Sequence, residues 1–279
     1  MTGRAVVLGG GGVTGIAWEI GLLTGLTEAG VDLRADLVVG TSAGSAVGAQ
    51  LTSGTQLPEL FARQVDPAKQ VTEIPAEIDP EQMALLFAES MAQNGDPQES
   101  WRRTGELALA AKTVGEAERR AVIAQRVPNP EWPSTRLALT AVDASTGEFV
   151  VFDRDSGVDL VDAVAASCAV PGVWPPVTIG GRRYVDGGVR SPENADLAAG
   201  SERVLVLRAL LVPDYNPLDE QVRALTEQGA SVLVLSPDEA SLTAMGVNAL
   251  DPAVREPTAR AGREQGLREA ERVTALWRP

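Results

Sequence analysis

The residues best suited to covalent chemistry lie in Gly40-Thr41-Ser42-Ala43-Gly44, a serine between two glycines directly after the apolar run Leu37 to Val39. A strand that turns sharply into a helix holds its turning residue clear of the backbone, and flanking glycines relieve the crowding there; this is a nucleophile-elbow pattern. A helix start also offers free backbone N–H groups and the positive end of the helix dipole to a developing oxyanion. The same short pattern is equally met as a plain helix cap. A serine nucleophile needs a proton acceptor, and the chain has no histidine at all. That removes the usual base of serine and cysteine hydrolases together with the commonest metal ligand. The acceptor must then be an Asp or Glu in a rigid turn. Asp186-Gly187-Gly188 stands out, closing Tyr184-Val185 with glycines that let the chain turn sharply, although Asp-Gly is also an ordinary hairpin signal.

A second glycine loop, Gly9 to Gly15, contains Gly10-x-Gly12-x-x-Gly15. Such spacing can hold a dinucleotide, but an acidic ribose ligand belongs at the end of the following strand, and Val39, Gly40 and Thr41 stand there instead. No Gly-Lys-Ser/Thr follows, as a phosphate-binding loop would require. The Gly10, Gly11 and Gly12 amides fit better as donors facing Ser42, where side chains would obstruct a tetrahedral oxygen. Cys168 is a weaker nucleophile candidate, because its neighbours are apolar and no histidine is present to form a thiolate.

The elements that must position these groups follow from hydrophobic patterning. Arg4 to Leu8 and Leu37 to Val39 are strand-like. Each runs through a glycine turn into a helix, at about Ile16 to Ala29 and on to Leu51, which predicts a parallel sheet covered by helices on both faces. Such a sheet gathers its turns at one edge. Acidic, alanine-rich stretches from about 58 to 133, including Gln82 to Met91 and Thr104 to Gln125, predict a helical insertion. Its Met83, Leu86, Phe87 and Met91 are spaced as a helix core or as the wall of an acyl pocket. Strands are expected again at 137–142, 149–152, 203–207 and 231–235, with helices near 160–167 and 218–228. The charged tail from Asp251 to Trp277 predicts a solvated helix with Glu264 and Arg268 paired at the four-residue spacing. No linker or repeat divides the 279 residues, so one α/β domain is expected.

A net charge of −14 excludes a nucleic-acid partner. Neither a membrane-spanning run nor a leader is evident, so a cytoplasmic chain with at most transient membrane-surface contact is expected. A single cysteine excludes an internal disulfide.

Taken in order, these motifs resemble the patatin-like phospholipase family. Gly9 to Gly15 is similar to its oxyanion-hole loop, Gly40 to Gly44 to its nucleophile elbow, Ala165 to Val177 to its proline-rich block, and Asp186-Gly187-Gly188 to its aspartate motif. The resemblance spans about residues 5 to 200. It implies a three-layer α/β fold and a Ser–Asp dyad, Ser42 as nucleophile and Asp186 as proton acceptor. It also implies a lipid or other acyl-ester substrate, and neither cofactor nor metal. Soluble esterase or thioesterase activity, or a non-catalytic nucleotide- or acyl-binding role, are the alternatives. Two positions depart from the family pattern. Thr14 replaces a basic residue that could meet an anionic headgroup, and Pro192-Glu193-Asn194-Ala195-Asp196 replaces an asparagine–x–proline arrangement, a change expected to affect the start of the next helix more than catalysis.

Overall fold

The computed structural model describes residues 2–76, 95–211 and 216–278. In chain order the first half forms β1 (Thr2–Leu8), α1 (Gly12–Glu28), β2 (Leu37–Gly40), α2 (Ala43–Leu51), α3 (Leu57–Val65), α4 (Pro97–Ala110) and α5 (Glu116–Arg126). Then come β3 (Arg136–Asp143), β4 (Phe149–Phe152), α6 (Leu160–Ser167), β5 (Val177–Ile179) and β6 (Arg182–Asp186). The chain continues through β7 (Ser201–Leu207), α7 (Pro217–Glu227), β8 (Ser231–Leu235), α8 (Glu239–Met245) and α9 (Arg255–Trp277).

One sheet runs β5-β6-β3-β2-β1-β7-β8, with β4 also on β3. The pairs from β3 through β8 are parallel, and β4, β5 and β6 join antiparallel. Burial on both sides explains why β1 reads as an unbroken apolar run. Val6 and Leu8 enter a core shared with α1, α2, α6 and α9, while Ala5 and Val7 face α7 and the turn around Ala195 and Ala198. The expected helix-covered, mostly parallel sheet is thus the observed architecture.

Helix α1 begins at Gly12, four residues earlier than patterning suggests. Low helix propensity makes Gly12 to Gly15 look like loop, but small residues are what tight packing admits there. The Thr104–Gln125 stretch is two helices rather than one, interrupted where Thr113, Val114 and Gly115 disfavour helix. Met83, Leu86, Phe87 and Met91, with the rest of 82–91, lie outside the described residues.

The tail is more than a solvated helix. Gly21 and Gly25 of α1 meet Gly262 and Gly266 of α9 so closely that a Cβ at Gly21 would lie 2.1 Å from the Ala259 carbonyl oxygen. Trp18 Nε1 donates to Gln265 Oε1 across this seam at 2.9 Å. Arg268 does not pair with Glu264 but reaches Asp238 at 2.5 Å, because α8 lies beside it. The long tail helix thereby clamps α1, whose first turn carries the glycine loop.

Candidate active site

Ser42 sits on the elbow between β2 and α2 with φ 54° and ψ −117°, a conformation that costs on the order of 1–3 kcal/mol for a non-glycine residue. Surrounding contacts hold it there. Thr41 N–H donates to Leu8 O at 3.1 Å, Gly44 N–H to Gly9 O at 2.9 Å, and Ser42 N–H to Ser167 Oγ at 3.0 Å. Gly44 presses on β1 so tightly that a Cβ would fall 2.0 Å from Leu8 O, and one at Gly40 would fall 2.6 Å from Gly44 O. The two flanking glycines are required by contact distance, not only by backbone conformation.

Register explains how Asp186 reaches this elbow. On β3, Leu139 pairs with Gly40 of β2 and with Phe152 of β4, hence on opposite sides. Ala141 pairs with Val150 of β4 and with Asp186 of β6. Strand β6 therefore occupies the side that β2 vacates at the elbow, and it ends, antiparallel, at Asp186. Gly187 packs against Thr140 where a Cβ would meet Oγ1 at 2.1 Å.

Asp186 is 4 % exposed. Gly188 N–H donates to Oδ1 at 2.7 Å, while Oδ2 is buried without a hydrogen-bond partner. Burial raises the carboxyl to about 7, opposed by the Ser42 hydroxyl and the Gly188 amide. The Ser42 hydroxyl thus interacts with the carboxylate without yet making a well-formed hydrogen bond to Oδ2. A carboxylate usually titrates near 4 and is a feeble base; at about 7 it is matched to neutral pH.

The three loop amides are not equivalent. Gly10 N–H donates to Pro192 O at 2.8 Å, whereas the Gly11 and Gly12 amides have no acceptor among the described residues. Gly10 lies against Ser42, since a Cβ there would be 3.5 Å from Ser42 Cβ. Gly15 N–H closes the first turn on Gly11 O at 2.7 Å. Thr14 is 1 % exposed, donating its amide to Ala249 O at 3.1 Å and its hydroxyl to Gly11 O at 3.3 Å. A basic side chain here would be desolvated beneath the 249–250 segment, a physical reason for its absence.

The Pro192–Asp196 segment turns out to brace the site rather than only start a turn. Pro192 O holds Gly10, as above, and Glu193 O accepts from Thr41 Oγ1 at 3.5 Å. Asn194, fully buried with φ 51°, donates Nδ2 to Ser191 O at 2.7 Å, Thr41 Oγ1 at 3.0 Å and Gly187 O at 3.2 Å. One amide thereby ties the elbow strand to the aspartate turn. Sequence reasoning placed Asn194 only within a segment expected to affect the start of the next helix; the contacts that give it this role come from residues more than fifty positions away as well as from its own turn. Cys168 is buried, and burial raises its thiol, which donates to Ser42 O at 3.1 Å. It is a support for the elbow.

A serine on a strained elbow, an unpaired buried carboxylate and a free-amide glycine loop at one sheet edge define a hydrolase-type site on an α/β sheet. The patatin-like phospholipase family matches residues 6–199, and the chain belongs to that family. In fold it is similar to VipD from Legionella pneumophila, at 13% identity and TM-score 0.52, covering 97% of this chain and 66% of VipD. It is also similar to the type III effector ExoU of Pseudomonas aeruginosa, at 16% identity and TM-score 0.41, covering 97% of this chain and 53% of ExoU. The chain thus spans just under two thirds of VipD and about half of ExoU. No curated protein matches it in sequence.

Proposed function

We propose that the protein is a serine acyl hydrolase that cleaves acyl esters of lipids, in the manner of a phospholipase A or lysophospholipase. The observation that carries this reading is the pairing of Ser42, at φ 54°, with a buried Asp186 raised to about 7 and lacking a cation partner among the described residues. The Ser42 proton passes to Asp186 as Oγ attacks the ester carbonyl, and the Gly11 and Gly12 amides receive the oxyanion. Collapse expels the alcohol, which takes the proton from Asp186 and leaves an acyl-Ser42. Water then attacks the acyl carbon and gives its proton to Asp186; Ser42 recovers it as the fatty acid leaves.

A lipid substrate is favoured by the apolar rim. Leu210, Leu211 and Val247 are exposed, the last fully, and their neighbours Ala209 and Ala249 touch the glycine loop. No helix among the described residues is long and apolar enough to cross a membrane, which agrees with contact from one side. The alternative, a soluble esterase or thioesterase, shares the dyad but does not use that rim. Fluorophosphonate labelling of wild type against Ser42→Ala tests the nucleophile, and the reading fails if Ser42→Ala retains ester hydrolysis. A comparison of vesicle with monomeric ester substrate separates lipase from esterase.

A further inference from the structure

We propose that Glu19 is a positioning residue: as a neutral acid beside Gly9 it keeps the glycine loop seated against the elbow, and its ionisation unseats that loop. The role of the loop rests on the acyl-hydrolase reading; the way it is held does not. Glu19 lies on α1 about 10 Å beyond Gly12 at 1.5 Å per residue, and helix side chains lean toward the N-terminus, so its carboxyl points back toward the loop. It is fully buried, and both carboxyl oxygens are without a hydrogen-bond partner. No step of the proposed hydrolysis uses it. A charge is costly in such a place, and a carboxyl avoids that cost by keeping its proton.

Three ionisable groups from three elements surround Gly9. Glu193 is 1 % exposed, and a Cβ at Gly9 would lie 3.4 Å from its Cγ. Arg208 follows Leu207, whose carbonyl accepts the Gly9 amide at 3.0 Å, and its Nε stands 3.7 Å from Glu193 Oε1. One guanidinium balances one carboxylate, so the second carboxyl fits only as the acid. Burial raises Glu193 to about 7, opposed by Arg208. Burial pushes Glu19 well above the usual carboxylate range, opposed by the Gly9 amide and reinforced by Glu193. Glu193 therefore takes the charge, and Glu19 keeps its proton. Elsewhere around α1 the charges are already committed. Arg255 and Arg263 of α9 turn to Glu73 and Glu28, Arg63 of α3 pairs with Glu59, Asp251 caps the Ala253 amide, and α2 has no ionisable side chain.

An ionised Glu19 repels Glu193, and Glu193 cannot move alone. On one side of it the Pro192 carbonyl holds Gly10, and on the other Asn194 ties Thr41 to Gly187. The Gly9 carbonyl in turn accepts from Gly44 of the elbow at 2.9 Å. A shift of the 192–194 segment thus displaces the Gly11 and Gly12 amides relative to Ser42, which lowers kcat and leaves KM in place.

The pH dependence of kcat for a nitrophenyl ester tests this. In wild type kcat should fall about tenfold per pH unit once Glu19 ionises, with KM unchanged, an alkaline limb beside the acid limb of Asp186. Glu19→Gln cannot ionise and Glu193→Gln has no charge to repel, so each should lose that limb. A wild-type profile flat above neutral pH, or an alkaline limb retained in either variant, overturns the proposal. A merely structural Glu19 would lower Tm in Glu19→Gln and leave the limb where it is. Should Glu19→Gln fail to fold, Glu193→Gln decides alone. Hydrogen exchange at the Gly10 and Gly44 amides, compared at equal pH between wild type and Glu19→Gln, reads the loop without turnover. Protection should fall on the alkaline side in wild type alone; equal protection in the two proteins overturns the proposal. If wild type hydrolyses no ester, the hydrolase reading fails while the exchange comparison still decides how the loop is held.

Discussion

Two carboxylates buried within the same molecule meet opposite surroundings. Asp186 has no cation partner among the described residues, one oxygen without a hydrogen-bond partner and a carboxyl raised to about 7 by burial. Glu73 is equally buried and carries three arginines. Dry surroundings raise the proton affinity of the first, because the charged form has lost its water and gained little in return. The second meets three guanidiniums, which suits it to tie α5, α9 and the segment after α3 together. Burial is common to both; the number of counter-charges decides whether a carboxylate is left unneutralised or tied into ion pairs.

The largest effect should come from breaking the dyad. Ser42→Ala and Asp186→Asn are each expected to lower kcat for a nitrophenyl ester about 10⁴-fold, with the residual rate owed to the glycine-loop amides. A double variant should be little worse than either single one, since the two residues act as a unit. Additive losses in steady-state kinetics would show that the proton leaves Ser42 by another route.

The two carboxylates should differ in sign when each is made neutral. Glu73→Gln strands three buried guanidiniums and is expected to destabilise by about 3–5 kcal/mol in urea unfolding. Asp186→Asn is expected to stabilise at neutral pH. The folded state holds the Asp186 proton more tightly than the unfolded chain, so the neutral carboxyl's stabilisation is complete below about pH 4 and lost as pH rises through about 7. Wild type should therefore lose on the order of 3–4 kcal/mol relative to Asp186→Asn across that window. Glu193, also raised to about 7 by burial, loses stability in the same direction, so the difference between the two proteins, not the wild-type curve, isolates Asp186. Catalysis has the opposite slope. The ionised form is the base, so kcat/KM should drop about tenfold per pH unit below about 7.

The catalytic edge was legible because its demands are local. Contact distances demand glycine at 40, 44 and 187, and the lack of histidine narrows the candidate base to a carboxylate. The arginine cluster around Glu73 was not legible. Arg119 and Arg126 fall in a stretch read as a helical insertion and Arg255 in a tail read as a solvated helix, and nothing in their spacing shows that α5, α9 and the segment after α3 close on one another. Long-range convergence also hid the true role of the tail, whose Gly262 and Gly266 acquire meaning only against Gly21 and Gly25. Thr14 was legible as a departure, but not its cause, because the covering residues Ala249 and Leu250 lie more than two hundred positions away.

Asn194 supplies the smallest effect and the sharpest separation of positioning from charge. It has no net charge and hydrogen-bonds neither Ser42 Oγ nor the Asp186 carboxylate, yet its Nδ2 bridges Thr41, one residue before Ser42, and Gly187, one residue after Asp186. Asn194→Ala leaves the Ser191 and Gly187 carbonyls and the Thr41 hydroxyl short of a donor, a loss of about 1–3 kcal/mol. Asn194→Asp keeps the shape but replaces a donor with an acceptor facing those same carbonyls, and should be worse than Ala. If Asn194 sets only stability, kcat should be unchanged in protein that remains folded well below its Tm. If it sets the distance between Ser42 and Asp186, kcat should fall about ten- to a hundredfold while KM and the pH midpoint near 7 stay fixed, because the burial that raises Asp186 does not pass through this amide.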